Sequence, residues 1–189
     1  MADEAGQVKR EQLDPEREAR RRVALAQIRQ YGDPVLRMRA NEVESFDGDL
    51  ERLVERMTAL MQEANGVGLA ANQIGVLRRV LVMQPSEEEP IALVNPVLRE
   101  SSDELCTDDE GCLSLPGVTV PVERRLRVKV EGLDPSGNGV SFELEGLAAR
   151  VLQHELDHLD GVLILARTTD EARRGALAVL RPRIEIAPA

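Results

Sequence analysis

The sequence predicts an α+β fold, with mostly antiparallel strands packed around one central metal-binding helix. Three observations carry that expectation. The stretch Gly146–Leu159 has a helical pattern and holds both histidines of the chain, His154 and His158. A second stretch, residues 49–65, shows a clear 3.6-residue apolar period. Between the two lie several short apolar runs joined by turn chemistry, which argues against repeated βαβ units.

The elements follow in order. Residues 1–14 are polar and aperiodic, and are expected to be disordered. Pro15 suits a first helical turn, and Val23, Ala24 and Ile28 give a weak apolar stripe, so a helix is expected from Pro15 to about Gln30. Arg17, Arg20, Arg21 and Arg22 then form a basic patch, read as a solvated helix face. Tyr31-Gly-Asp-Pro34 is turn chemistry and opens a new unit. The chain is expected to comprise an N-terminal extension, residues 1–27, and a second unit, residues 28–189, that carries the motifs described below.

Leu50, Leu53, Val54, Met57, Leu60, Met61 and Ala64 share one face of the next helix. Asp47 or Asp49 can cap it, and Asn65-Gly66 ends it. Arg79–Met83 and Ile91–Val94 read as short buried strands; Asn95-Pro96 breaks the second, and residues 97–100 continue beyond the break. Leu126–Val130 and Val140–Leu144 form a hairpin across residues 134–139. The metal helix Gly146–Leu159 stops at Gly161, and a last helix capped by Thr169 or Asp170 runs to about Leu180, before Pro182.

Composition excludes several classes. The 189 residues are 42% hydrophobic with no Trp, one Tyr and two Phe, so the core must be aliphatic. A net charge of −10 argues against broad nucleic-acid binding. No apolar run approaches the roughly 20 residues needed to span a bilayer, and the charged N-terminus has no signal-peptide core. A cytoplasmic protein is expected, with Cys106 and Cys112 as thiols.

The chemistry centres on Gln153-His-Glu-Leu-Asp-His158. Residues four apart on a helix lie about 40° apart on one face, so two imidazoles there can address one cation. Glu155, directly after the first histidine, can reach a water on that cation. Cys112 is the best third ligand, because Gly111 permits an unusual backbone beside the sulfur. Three protein ligands leave the open position that a hydrolytic metal needs. Such a set suits zinc, iron(II), cobalt or nickel, and ligand type alone does not choose. Cys106 is read as a small buried apolar residue. The glycine-rich run Gly66-Val-Gly-Leu-Ala-Ala-Asn-Gln73 lacks phosphate-loop chemistry. It either lets backbones pack closely or lets a substrate backbone approach, with Gln73 as donor. A zinc endopeptidase is the competing activity, but no histidine follows His158, and Glu171 and Glu185 have no matching spacing.

Taken together, residues 66–73, Glu110-Gly-Cys-Leu-Ser114 and Gln153–His158 resemble the three motifs of the peptide deformylases, in that family's order and spacing. Tyr31–Arg37 is similar to the family's start, and the resemblance spans roughly residues 28–168. It implies a hydrolase that removes the formyl group from formyl-methionyl nascent polypeptides and releases formate. It implies Cys112, His154 and His158 as ligands to iron(II), with zinc, nickel or cobalt able to replace it. Glu155 would move the proton, and the Leu113 backbone N–H and the Gln73 amide would stabilise the oxyanion. Gly66, Val67 and Gly68 would let the substrate backbone lie close. Val67, Leu113, Leu147, Val151 and the His154 ring would receive the methionine, with Arg150 at the pocket mouth. The run Gly117–Pro121 lacks a basic residue, which leaves backbone contacts there unassigned. Arg173, Arg174, Arg181 and Arg183 suggest, by analogy, a transient ribosome contact.

Overall fold

Val80–Met83 is a run of four apolar residues, all buried. Side chains alternate along a strand, so such a run must be covered on both faces. Val80 and Val82 join one apolar cluster, and Leu81 and Met83 join another. The computed structural model, which describes residues 14–181, shows what covers each face.

Seven strands form: β1 (Gly68–Ala70), β2 (Val80–Met83), β3 (Ile91–Ser101), β4 (Leu105–Cys112), β5 (Leu115–Arg125), β6 (Arg127–Leu133) and β7 (Gly139–Glu145). Five make an antiparallel sheet in the order β1-β2-β3-β6-β7, and β4 and β5 make a separate antiparallel pair. The helices are α1 (Pro15–Leu25), α2 (Gly48–Glu63), α3 (Gly146–Leu159) and α4 (Asp170–Leu180). Leu50, Met57, Leu60 and Met61 of α2 cover the Val80/Val82 face. Ala149, Val151, Leu152 and Leu159 of α3 cover the Leu81/Met83 face. Each large aliphatic side chain buried this way contributes roughly 1.5–3 kcal/mol. The α+β expectation holds, with α3 between the five-stranded sheet and the β4–β5 pair.

The helix ends are set by local chemistry. Asp47 caps α2 by accepting from the backbone N–H groups of Asp49 and Leu50. Thr169 caps α4 through Ala172 N–H. Asp14 caps α1 through Glu16 N–H at 3.1 Å. The α1 helix is shorter than the expected Pro15–Gln30. Gln27 and Ile28 donate to Ala24 and Leu25, tightening the last turn. Of its expected stripe, Ala24 and Ile28 are buried, whereas Val23 is 62% exposed. Apart from Asp14, the segment expected to be disordered lies outside the described residues, as do Pro182, Arg183 and Glu185.

Two strand expectations need correction. Asn95-Pro96 does not break β3. The ladder to β6 shifts register between Val94 and Val97, so the proline falls in a bulge where its missing N–H does no harm. Asn95 adopts φ 51 there, and its side chain bonds Val43 N and O at 2.8 and 2.9 Å. The β4–β5 pair was not expected at all. β4 is almost wholly exposed and polar, so it carries no apolar alternation. β5 does alternate, with Leu115, Val118, Val120 and Val122 buried, but Pro116, Gly117 and Pro121 mask the pattern. These side chains meet Leu163, Ile164, Leu165 and Ala176 in a third apolar cluster.

Candidate active site

The two histidines lie one helical turn apart on α3, and their Nε2 atoms are 3.2 Å apart. Cys112 reaches the same point from the tip of the β4–β5 hairpin. Gly111 pairs with Thr119, but Cys112 pairs with Leu115, and this register shift swings the hairpin end towards α3. The Cys112 Sγ lies 3.3 Å from His158 Nε2, and one donor atom from each of the three residues lies within 4.8 Å of the others. No other such group of three or more metal-binding side chains occurs among the described residues.

The protonation pattern fits a cation. The Glu110 carboxylate can only accept, so His154 Nδ1–H donates to it, at 3.0 Å. In the neutral ring, that hydrogen bond leaves the Nε2 lone pair facing the other two donors. A metal-bound imidazole commonly has its second nitrogen held this way. Burial alone would raise the Glu110 carboxyl. Hydrogen bonds from His154 and Arg124, together with the Arg124 charge, outweigh it and hold Glu110 at about 2.

Around Glu110 lies a buried ion network that the sequence reading missed. Arg124 grips Glu110 through two nitrogens at 2.9 and 3.0 Å and reaches Asp157 at 2.6 Å. Arg150 donates to Glu110, to the Val122 carbonyl and to the Cys106 carbonyl. Its head is therefore held in this network, in the wall of the cleft. Arg167 closes the far side on Asp157. A signal existed: Arg124 shares the buried parity of Val118, Val120 and Val122, and an inward arginine requires acidic partners. Cys106 is an exposed free thiol rather than a buried apolar residue; Cys112 is also free.

Glu155 is 3% exposed, and its Oε2 has no hydrogen-bond partner among the described residues. Burial pushes its carboxyl up to about 7, against the charges of His154 and Arg124. An orphaned buried oxygen of this kind is kept for a group that arrives later. Gly68 makes room for it. A Cβ there would lie 2.9 Å from Glu155 Cδ and 2.9 Å from Val151 Cγ1. Both earlier readings of the loop bear on this glycine, since it packs the base and also lines the cleft.

Gln73 is buried on a 3-10 turn, Ala71–Ile74. Its Oε1 accepts from Ala70 N–H at 2.9 Å, which turns Nε2 towards Ser114 Oγ at 3.1 Å and Cys112 Sγ at 3.8 Å. The segment after α1 ties these parts together. Arg29 N–H donates to the Gln73 carbonyl, the Gln30 side chain to the Leu113 carbonyl, and Tyr31 N–H to the Ser114 carbonyl.

A cleft of about 460 Å³ opens over this group. Gly66, Val67, Gly68, Gln73, Leu113, Leu147 and Val151 line it with Cys112, His154 and Glu155; His158 lies beneath, 1% exposed. Val67 and Leu147 are 46% and 55% exposed, so apolar surface is held open there. Arg21 and Leu25 of α1 complete one wall, which the reading of Arg21 as part of a solvated face did not anticipate.

The profile of the polypeptide deformylase family matches residues 25–174. Peptide deformylase 1 of Corynebacterium glutamicum is 46% identical over 162 residues, 84% of this chain and 96% of that one. The crystal structure of peptide deformylase from Thermotoga maritima superposes with a TM-score of 0.73 at 48% identity, covering 75% of this chain and 96% of that one. The peptide deformylase from Synechococcus elongatus in complex with actinonin gives 0.78 at 35% identity, covering 81% and 86%.

Proposed function

The chain belongs to the polypeptide deformylase family, and from that premise we propose that it removes the formyl group from formyl-methionyl nascent peptides at the Cys112–His154–His158 cleft. One observation carries the assignment of the site. A sulfur and two imidazole nitrogens converge beside a buried, unpartnered carboxylate, with an amide donor 3.8 Å from the sulfur.

Cys112, His154 and His158 would hold one divalent cation, which supplies Lewis acidity and lowers the pKa of water at the site. We assign iron(II) as the physiological ion, with zinc, nickel or cobalt able to occupy the purified protein. The Glu110 contact fixes the His154 ring so that Nε2 presents its lone pair. Glu155 takes a proton from the attacking water and returns one to the leaving nitrogen. Burial, which raises this carboxyl, favours its taking up that proton.

As the formyl carbon is attacked, its oxygen becomes negative. The Leu113 backbone N–H and Gln73 Nε2 would donate to it. Losing one such donor typically removes about 3 kcal/mol of barrier stabilisation. Ala70 N–H fixes the Gln73 amide beforehand, so little reorientation is needed. The peptide would lie along β1, which is an edge strand, with Gly66 and Gly68 giving it close approach. Its methionine would enter between Val67, Leu113, Leu147, Val151 and the His154 ring.

Among the described residues no helix is long and apolar enough to cross a membrane; acting on nascent chains, the protein would work in the cytoplasm. A transient ribosome contact through α4 would fall to Arg174 and Arg181, since Arg173 is engaged by Leu165 O and Asp170.

The test is an anaerobically purified, iron-loaded protein given a formyl-methionyl peptide and an unformylated one. Formate with no internal cleavage is the expected outcome. Internal cleavage would favour the zinc endopeptidase reading instead.

A further inference from the structure

We propose that Arg21 is a specificity-determining residue that binds a side-chain carboxylate on the second or third residue of the substrate, just after formyl-methionine. This rests on the deformylase reading of the same cleft.

Arg21 belongs to α1 and lies four residues before the family-matched segment, which begins at Leu25. The helix is fixed, not free. Ala24 is fully buried, and Leu25 packs against the α2 cluster. Arg17 Nη2 donates to Asn65 Oδ1 at 3.1 Å, and Arg21 Nε donates to the Ala64 carbonyl at 3.3 Å. That carbonyl lies at the C-terminal end of α2, where unpaired carbonyls and the helix dipole favour a cation. The contact uses Nε, so both terminal nitrogens remain for a ligand, and Arg21 lines the catalytic cleft. Among the described residues it has no salt bridge, whereas Arg20 on the same helix faces Glu16 at 3.9 Å.

The position selects the reader of a neighbouring side chain rather than of the formyl group. Gly68 touches Glu155, and Arg21 is tied to the backbone just before Gly66. The four residues of chain from Ala64 to Gly68 span at most about 14 Å. A strand-like peptide advances roughly 3.3 Å per residue. With the formyl group beside Glu155, the residues just after formyl-methionine therefore come within reach of Arg21, the second and third among them. Glu110 and Arg150 in the cleft wall are buried and paired with each other. Asp109 is the other exposed charge there, and it forms no ion pair with Arg21. An acidic side chain thus finds its attraction at Arg21, in a chain whose net charge of −10 otherwise repels it.

The experiment measures kcat/KM for formate release from formyl-Met-Xaa-Ala-amide and formyl-Met-Ala-Xaa-amide, with Xaa as Glu or Gln. The amidated ends leave the side chain as the only carboxylate. The parent is expected to prefer Glu over Gln by roughly threefold at one position, the size of an exposed ion pair. The preference should sit in KM and shrink with added salt. Arg21→Gln abolishes it, Arg21→Lys keeps part of it, and Arg20→Gln, which removes the same charge, leaves it intact. An equal Glu/Gln ratio in the parent and in Arg21→Gln at both positions overturns the inference. No formate from any peptide overturns the deformylase reading instead.

Discussion

Replacing Gly68 with Ala tests the packing that holds the base. The new Cβ would sit 2.9 Å from Glu155 Cδ and 2.9 Å from Val151 Cγ1, and closer still to Glu155 Oε1. Real Cβ atoms do not tolerate such contacts, so the carboxylate and the valine must both move. Both belong to α3, and Val151 is 5% exposed, so there is little room to yield. Overpacking of this kind typically costs about 1–3 kcal/mol. For a chain of this size, each kcal/mol lowers Tm by roughly 2–4 °C. The larger effect is on turnover, because a shift of about 1 Å in a catalytic group can lose on the order of 100-fold. Gly66→Ala is the comparison. Its Cβ would meet Leu113 Cδ1 at 2.8 Å, a terminal methyl that can rotate away, and backbone no closer than 3.4 Å. The expected result is a large fall in kcat for Gly68→Ala with the metal retained, and a rise in KM with kcat nearly unchanged for Gly66→Ala. Steady-state formate release, metal analysis and thermal unfolding would read all three. A Gly68→Ala enzyme with kcat within about threefold of the parent refutes the argument that this glycine exists for Glu155.

Other substitutions separate the roles around the site. Glu155→Gln keeps shape and removes the base, so turnover should fall by about 100- to 10,000-fold with metal content unchanged. Near-normal formate release would sink that assignment. Cys112→Ser should change or lose the metal, whereas Cys106→Ser, on the exposed side of β4, should not; equal loss in both would refute the ligand set. Glu110→Gln weakens the hold on His154 and should lower metal affinity by about 10- to 100-fold. It also leaves Arg124 and Arg150 short of a buried counter-charge, a loss of about 3–5 kcal/mol by denaturant unfolding. Unchanged stability would show that the network relaxes freely.

Which residues come together at the candidate site was largely legible, because those signals are local. The histidines four residues apart fix a shared helix face, whereas Gly111 lies in β4 without a positive φ, and the register shift after it is what turns Cys112 towards α3. The α2 and α3 helices have caps or stops next to a strong period, so their bounds came out within a residue or two. What stayed hidden is non-local or disguised. β4 pairs through its backbone while its side chains point into solvent, so no side-chain pattern betrays it. Pro96 looked like a breaker because nothing in the sequence announces a bulge. Glu110 and Asp157 look like ordinary acids in motif stretches until Arg124 is seen between them. Arg21 reads as solvated helix unless the docking of α1 on α2 is known.

The ligands also differ in when they can meet. His154 and His158 are neighbours as soon as α3 has turned once, since only four residues separate them. Helices form in about a microsecond or less. Cys112 lies 46 residues from His158 and is brought to it by the pairing of β4 with β5. Contacts across such a span come late, because a long loop must close before they form. A cation therefore finds its complete seat only in a nearly finished molecule. Small zinc modules fold only with their ion bound; here the three candidate donors meet only through tertiary pairing, so a cation held by all three would report a nearly finished fold.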